Sequence, residues 1–462
     1  MKTLKIDPEY KVSFGNKGHA YRLMKQFDNA LVQLDAALKI DPEYVWAINH
    51  KGLVFQDWEK YDQALEQFDL ALQIDPEYKI AFAFKGNVYR LMEQFDDALV
   101  QLDKALEIDP KYTWAIHEKG LVFHNWEKYD QALEQFDLAL QIDPQYKFAL
   151  ANKGSACRLM KQFDDALIHL DAALKIDPEY IWSINHKGLV FLDWEKYEQA
   201  LEQFDLALEI DPEYKAAFAN KGRTYRLMKQ FDDALLQLDA ALKIDPEYTW
   251  AVFQKGLVFQ DWEKYDQALE QFNLALQIDL EYEIAVANKG YIFGLQNLFD
   301  QAVVKFNKAI EINDKYDWAY RQRGFVYALM GNYKKAIQDL TLSISLDSDD
   351  DWAYALRGMI HLKFDKVDLG AADLENAIKL VSNSSQSWTN QLNNCFYHLA
   401  LGKVEDTQKL YNELLTESPL DYILLEAIEN IDVFLRLFPD PLQALEIKAQ
   451  LKTQVVNSQT NE

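Results

Sequence analysis

Glycine stands at Gly18, Gly52, Gly86, Gly120, Gly154, Gly188, Gly222, Gly256, Gly290, Gly324 and Gly358, an unbroken spacing of 34 residues. A chain with that register must build one small unit repeatedly and stack the copies, because no unit of this size can bury its own apolar side. Other letters keep the same beat. The string "KIDPEY" or a near variant ends at Tyr10, Tyr44, Tyr78, Tyr112, Tyr146, Tyr180, Tyr214, Tyr248 and Tyr282. With Lys11 as position 1 of repeat one, glycine holds position 8, alanine positions 20 and 27, and proline position 32 from Pro42 to Pro246.

Each repeat reads as two amphipathic helices. Positions 4, 7, 8 and 11 form one apolar face, and positions 17, 20, 21, 24, 27 and 28 form a second. The Asp-Pro pair at 31 and 32 stops the second helix, since proline lacks a donor and disfavours helix in the residue before it. Small residues at 8, 20 and 27 let the helices approach closely.

These positions resemble the tetratricopeptide repeat family. Repeat two carries its pattern as Gly52, Phe55, Ala64, Phe68, Ala71 and Pro76, and versions recur about eleven times over residues 11–384. The resemblance implies an all-α, right-handed α-α superhelix (solenoid) of about 11–12 tetratricopeptide helix pairs. Lysine fills position 7 in nine repeats where the family carries leucine, so its stem is expected to pack and its ammonium to reach water.

A 68-residue double period lies over residues 11–282: odd repeats share one text and even repeats another. In the first helix the even copies differ mainly at positions 1, 5, 6 and 12 and the odd copies at 2, 5, 6 and 9; positions 2, 5, 6, 9, 12 and 13 form one stripe. In proteins of the family that stripe faces a ligand in a concave groove. The resemblance therefore implies a binding groove lined by Arg22, Trp46, Asn49, His50, Arg90, Trp114, His117, Glu118, Arg158, Trp182, Asn185, His186, Arg226, Trp250, Phe253 and Gln254. Tryptophan and arginine are enriched in binding hot spots, and a ladder of the two suits an extended peptide with apolar and acidic residues. Two alternatives stand beside this: exposed positions drift freely among copies, and each tryptophan can pack on the tyrosine ending the preceding repeat. Trp58, Trp126, Trp194 and Trp262, at position 14, read as packing between helices.

The family's clamp for chaperone tails needs lysines at positions 2 and 5 that this chain lacks, although Asn16, Asn152, Asn220 and Asn288 hold position 6. Catalytic motifs are missing too: there is no phosphate-binding glycine loop, paired-histidine metalloprotease helix or calcium loop. No enzyme, cofactor or metal is expected. His117 and His124 are seven apart on one helix, about 10 Å along its axis, too far to share an ion. Cys157, where other early odd repeats have tyrosine, reads as a core substitution, and with only Cys395 beside it the chain suits a reducing compartment. The formal charge of −26 opposes binding to phosphate backbones and anionic membranes. A cytoplasmic protein with protein or peptide partners is the expectation, with no nucleic acid and no membrane.

Residues 1–10 read as the end of an incomplete repeat, so that either the first helix is uncovered and open to self-association or more protein once preceded Met1. After the eleven repeats of 11–384 come a degenerate twelfth at 385–421, capping helices at 422–452 broken at Pro439 and Pro441, and a flexible tail at 453–462. The function expected is a non-catalytic protein–protein interaction scaffold. The alternative, from resemblance to long bacterial arrays, is the sensor or regulatory arm of a larger signalling NTPase or effector system.

Overall fold

A computed structural model describes residues 9–383, 388–403, 407, 409–412, 428, 431, 432, 435 and 442–459. Every regular element among them is an α-helix. Two compact bodies divide the chain, Met1–Val190 and Phe191–Glu462, with the boundary inside a helix of repeat six.

In repeats two to ten an A-helix covers positions 1–13 and a B-helix positions 17–30, as in Val45–Asp57 and Tyr61–Ile74. The A-helix ends at position 15 in a left-handed residue. Repeat one shows the geometry: Gln26 N–H donates to Tyr21 O and Lys25 N–H to Arg22 O, both at 2.9 Å, which satisfies two terminal carbonyls. Position 15 has positive φ in all eleven repeats, yet only repeat ten places a glycine there, Gly331. The B-helix ends at the aspartate of position 31, whose backbone turns extended (Asp75, φ −127°, ψ 94°) as a residue before proline must. Its carboxylate then accepts from the amide two residues on, as Asp75 does from Glu77 at 3.1 Å.

The position-8 glycine sets how closely A and B approach. A Cβ on Gly52 would lie 2.4 Å from Phe68 Cε1, and one on Gly18 would lie 2.7 Å from Leu34 Cγ. Position 24 thus fills the space that glycine leaves, with leucine in repeats one, three, five and seven and phenylalanine in two, four, six and eight; Leu34, Phe68, Leu102 and Phe136 are completely buried. The alanines of positions 20 and 27 are completely buried as well, from Ala30 and Ala37 onward.

The B-helices of repeats one to four in the first body and of six to ten in the second also pack on the next repeat's A-helix, so one core runs into the next. Trp58, Trp126 and Trp262 stack on Phe27, Phe95 and Phe231 of the preceding B-helix at 5.4–5.5 Å. They join neighbouring repeats rather than the two helices of one repeat. Each also carries a lysine ammonium over its outer face, as Lys128 over Trp126 at 3.0 Å.

In the second body, repeats ten and eleven share a core with a further helix, Trp388–Ala400, through Phe396 and Tyr397. A last helix, Leu442–Gln459, buries Ile447 and Leu451 in the same core. It runs through much of the stretch read from sequence as a flexible tail, because those two apolar residues anchor it. The opening residues 1–8 and the break at Pro439 and Pro441 lie outside the described residues. Among the described residues, no helix is long and apolar enough to cross a membrane.

Candidate functional site

In the first body the A-helices of repeats one to five touch in succession, and in the second those of repeats seven and eight and of nine to eleven do so. Among the described residues no comparable contact joins neighbouring B-helices. The A-helices therefore line the tighter side of each body, and the stripe of positions 2, 5, 6, 9, 12 and 13 lies along their junctions.

The junctions use much of that stripe for themselves. Asn49, His117, Glu118, Asn185, Phe253 and Gln254, read from sequence as groove-facing, are buried between repeats. Gln56 donates to Asn87 Oδ1 at 3.0 Å, and Asn87 donates to Glu118 Oε2 at 2.7 Å, a polar chain through repeats two, three and four. Asn152 of repeat five lies 2.9 Å from His117 Nε2, whose ring also meets Tyr146 at 5.3 Å. Phe253 packs on Tyr282 and Phe272 at 5.4 and 5.6 Å.

The arginines of position 12 also reach forward. Arg22 pairs with Asp57 at 3.0 Å, Arg226 with Asp261 at 2.6 Å, and Arg90 with Glu118 at 3.4 Å. Repeat four has Asn125 in place of that aspartate, and there Arg90 reaches the Asn125 amide oxygen at 3.1 Å as well as the buried glutamate. Burial pushes the Glu118 carboxyl up, opposed by the Arg90 charge and the Asn87 hydrogen bond. Arg158 is half-buried, and its charge helps to hold His124 and His186 below the ordinary imidazole range, after burial itself.

The position-2 tryptophans are half-buried, each with a rim left open. Trp46 packs beside Tyr44 at 5.8 Å and over the backbone of Gly15, where a Cβ would come within 2.7 Å of its ring. Its other face meets His50 at 3.6 Å, and His50 stacks on His19 at 5.0 Å. Trp114 meets Phe84 at 4.8 Å and Tyr112 at 6.1 Å; Trp182 stacks on His186 at 3.5 Å. Trp250 sits 5.9 Å from Phe253. Burial lowers the imidazole pKa of both His50 and His186 to about 3, so these stacks hold neutral rings.

One open concavity was not foreseen from sequence. In the second body a cavity of about 450 Å³ is bordered by Gln260, Asp261, Tyr291, Leu295, Arg321 and Trp352, among others. Those six occupy stripe positions 12, 13, 9, 13, 5 and 2 of repeats eight to eleven. Larger variable side chains replace the regular pattern here, and that loss of the double period was the signal available. Arg321 is anchored by Asp350 at 2.6 Å, which leaves the rest of its guanidinium beside the cavity.

Neither cysteine offers chemistry: Cys157 and Cys395 are both buried, and burial raises the Cys157 thiol. Among the described residues, no three histidine, cysteine or acidic side chains converge as metal ligands would.

Comparison with known families matches tetratricopeptide repeat models at residues 13–44, 47–78, 81–112, 115–146, 149–180, 187–249 and 319–350, together more than half of the chain. No curated protein matches. Among solved structures, yeast Tom70 is similar with a TM-score of 0.51 at 15% identity, covering 88% of this chain and 99% of its own. A tetratricopeptide repeat protein from Parabacteroides merdae gives 0.45 at 18% identity, over 54% of this chain and 98% of its own.

Proposed function

The chain belongs to the tetratricopeptide repeat family, and from that premise we propose that it is a non-catalytic scaffold binding an extended peptide of a protein partner along its A-helices. The observation that supports this reading is the cavity of about 450 Å³ in the second body, because most of its walls, though not Lys229, Glu263, Tyr265 or Asp432, come from the stripe. Its volume suits a bound group, as ligand pockets run about 300–1,000 Å³. The lining mixes aromatic rings with an arginine, carboxylates and amides, a combination that takes up side chains and backbone amides of a strand-like ligand.

In the first body the open rims of Trp46, Trp114 and Trp182, together with Arg22, Arg90 and Arg158, are the contacts proposed for the same ligand. The buried Asn49, His117, Glu118 and Asn185 position these side chains and do not touch it. Phe253 and Gln254 play that part beneath Trp250 and Arg226 in the second body.

The test is photocrosslinking in the source cell. A benzoylphenylalanine at Gln322, beside the cavity, should give a defined adduct, and one at Glu270, on a B-helix, should not. Equal adducts from both positions, or none from Gln322, would sink the groove reading.

A further inference from the structure

A second site lies away from the groove, where a ladder of ion pairs breaks. In repeats two to eight the position-7 lysine reaches the position-25 aspartate of the preceding B-helix: Lys51–Asp35 at 2.8 Å, Lys119–Asp103 at 2.6 Å and Lys255–Asp239 at 2.6 Å. Lys85, Lys153, Lys187 and Lys221 do the same with Asp69, Asp137, Asp171 and Asp205. Each ammonium is thereby matched by a carboxylate.

Repeat nine departs from all of these at two places, the preceding position 25 and position 23, and from the odd repeats three, five and seven at position 19 as well. The preceding position 25 is Asn273, so Lys289 meets only a neutral amide oxygen, at 2.5 Å. Position 23, a neutral residue in repeats one to eight, is Lys305. Its stem lies against the helix carrying Lys289, since a Cβ on Gly290 would be 3.2 Å from Lys305 Cβ. Position 19, aspartate in repeats three, five and seven, is Gln301. The carboxylate that remains is Asp300, at position 18, which is acidic in all nine repeats. Over these five positions repeats three, five and seven carry one lysine against three aspartates, whereas repeat nine carries two lysines against one. The local charge, −2 in those three repeats and −1 in repeats two, four, six and eight, becomes +1 here, on a chain whose total is −26.

A cavity of about 470 Å³ opens at this spot, with Lys289, Lys305, Asn273, Gln301 and the single carboxylate of Asp300 on its polar side and Leu269, Phe293 and Val304 on its apolar side. Burial, then the Lys305 charge, holds the Lys289 ammonium below the usual lysine range, so an incoming anion would relieve a repulsion already present.

We propose that this notch is a second recognition site, taking an acidic-apolar segment of a protein partner. One carboxylate sits between the two ammonium groups, and the neighbouring apolar side chain lies against Leu269, Phe293 and Val304. The apolar wall is what selects a peptide over a bare anion, and the two cations are what select glutamate or aspartate over an amide. None of its lining residues belongs to the stripe, so the site stands or falls independently of the groove.

Fluorescence anisotropy on the full chain tests it, with a fluorescein-labelled peptide of four Glu-Leu pairs at low ionic strength. Wild type should bind it and ignore the Gln-Leu counterpart. Asn273→Asp, which rebuilds the pairing of the other repeats and so preserves the fold, should weaken binding about tenfold. Lys289→Gln/Lys305→Gln should abolish it, and Gln322→Ala in the groove cavity should change nothing. No binding by wild type, or undiminished binding by both notch variants, would overturn the proposal. So would displacement of the peptide by inorganic phosphate where chloride at equal ionic strength fails, an outcome that would assign the notch to free phosphate.

Discussion

Glu118 of repeat four accepts a hydrogen bond from Asn87 of repeat three at 2.7 Å, and both side chains are buried in the junction between their A-helices. Arg90 adds its charge from 3.4 Å. Removing one partner of such a buried group costs far more than replacing it with a neutral acceptor. Glu118→Ala should therefore lower the stability of the first body by about 3 kcal/mol. Glu118→Gln keeps the acceptor, sheds a desolvated charge and should change stability by under about 1 kcal/mol. Urea unfolding of the two variants separates these outcomes, and equal losses would mean that the junction depends on packing alone.

The stacked histidines make the first body sensitive to acid. Burial first, then neighbouring charges, lowers the pKa of His186 to about 3 and that of His117 to about 4. Both lie below the unfolded value near 6.5, so the unfolded chain binds more protons in the interval between. Their contribution is complete above about pH 6.5 and is lost as pH falls toward 4, at up to about 1.4 kcal/mol per pH unit for each ring. Urea midpoints between pH 7.5 and 4.5 should follow that direction, and His186→Gln should flatten the slope. A slope unchanged by that substitution would assign the acid loss to other groups.

Repeat eight has Leu280 where seven earlier repeats have proline, and the side chain is 81% exposed. Asp279 before it already has the extended backbone (φ −130°, ψ 105°) that precedes Pro76 elsewhere. Leu280→Pro should thus raise stability by about 0.5–1 kcal/mol, mainly by restricting the unfolded chain. Differential scanning calorimetry would register it as a higher melting temperature, and a fall would mean that the Leu280 backbone differs from its counterparts.

Gly120 shows the opposite limit. A Cβ there would stand 2.4 Å from Cε1 of Phe136, which is completely buried and has nowhere to retreat. Gly120→Ala should cost about 1–3 kcal/mol although alanine is the better helix former. In a Phe136→Ala background, which empties the space the Cβ needs, the same change should recover most of that loss; Phe136→Leu would not serve, since a Cβ on Gly86 already stands 2.5 Å from Leu102 Cγ. Without recovery, the close approach of the two helices is not what the glycine serves.

The helices, their turns and the core can be read off a single repeat. Helical periodicity assigns the apolar face, the Asp-Pro pair ends each B-helix, and glycine at position 8 with leucine or phenylalanine at 24 sets the pairing of A with B; all of this acts within one 34-residue unit. The sequence also marked the stripe where the copies differ. Which stripe residues stay open was decided only by tertiary structure, because that depends on a side chain in another repeat. Asn87 meets Glu118, Asn152 meets His117 and Arg22 meets Asp57 only once neighbouring A-helices are in contact. The cavity beside Arg321 and Trp352 and the unpaired lysines beside Asn273 arise likewise. Each is a mismatch between adjoining repeats, and a mismatch has a location only after the repeats are stacked.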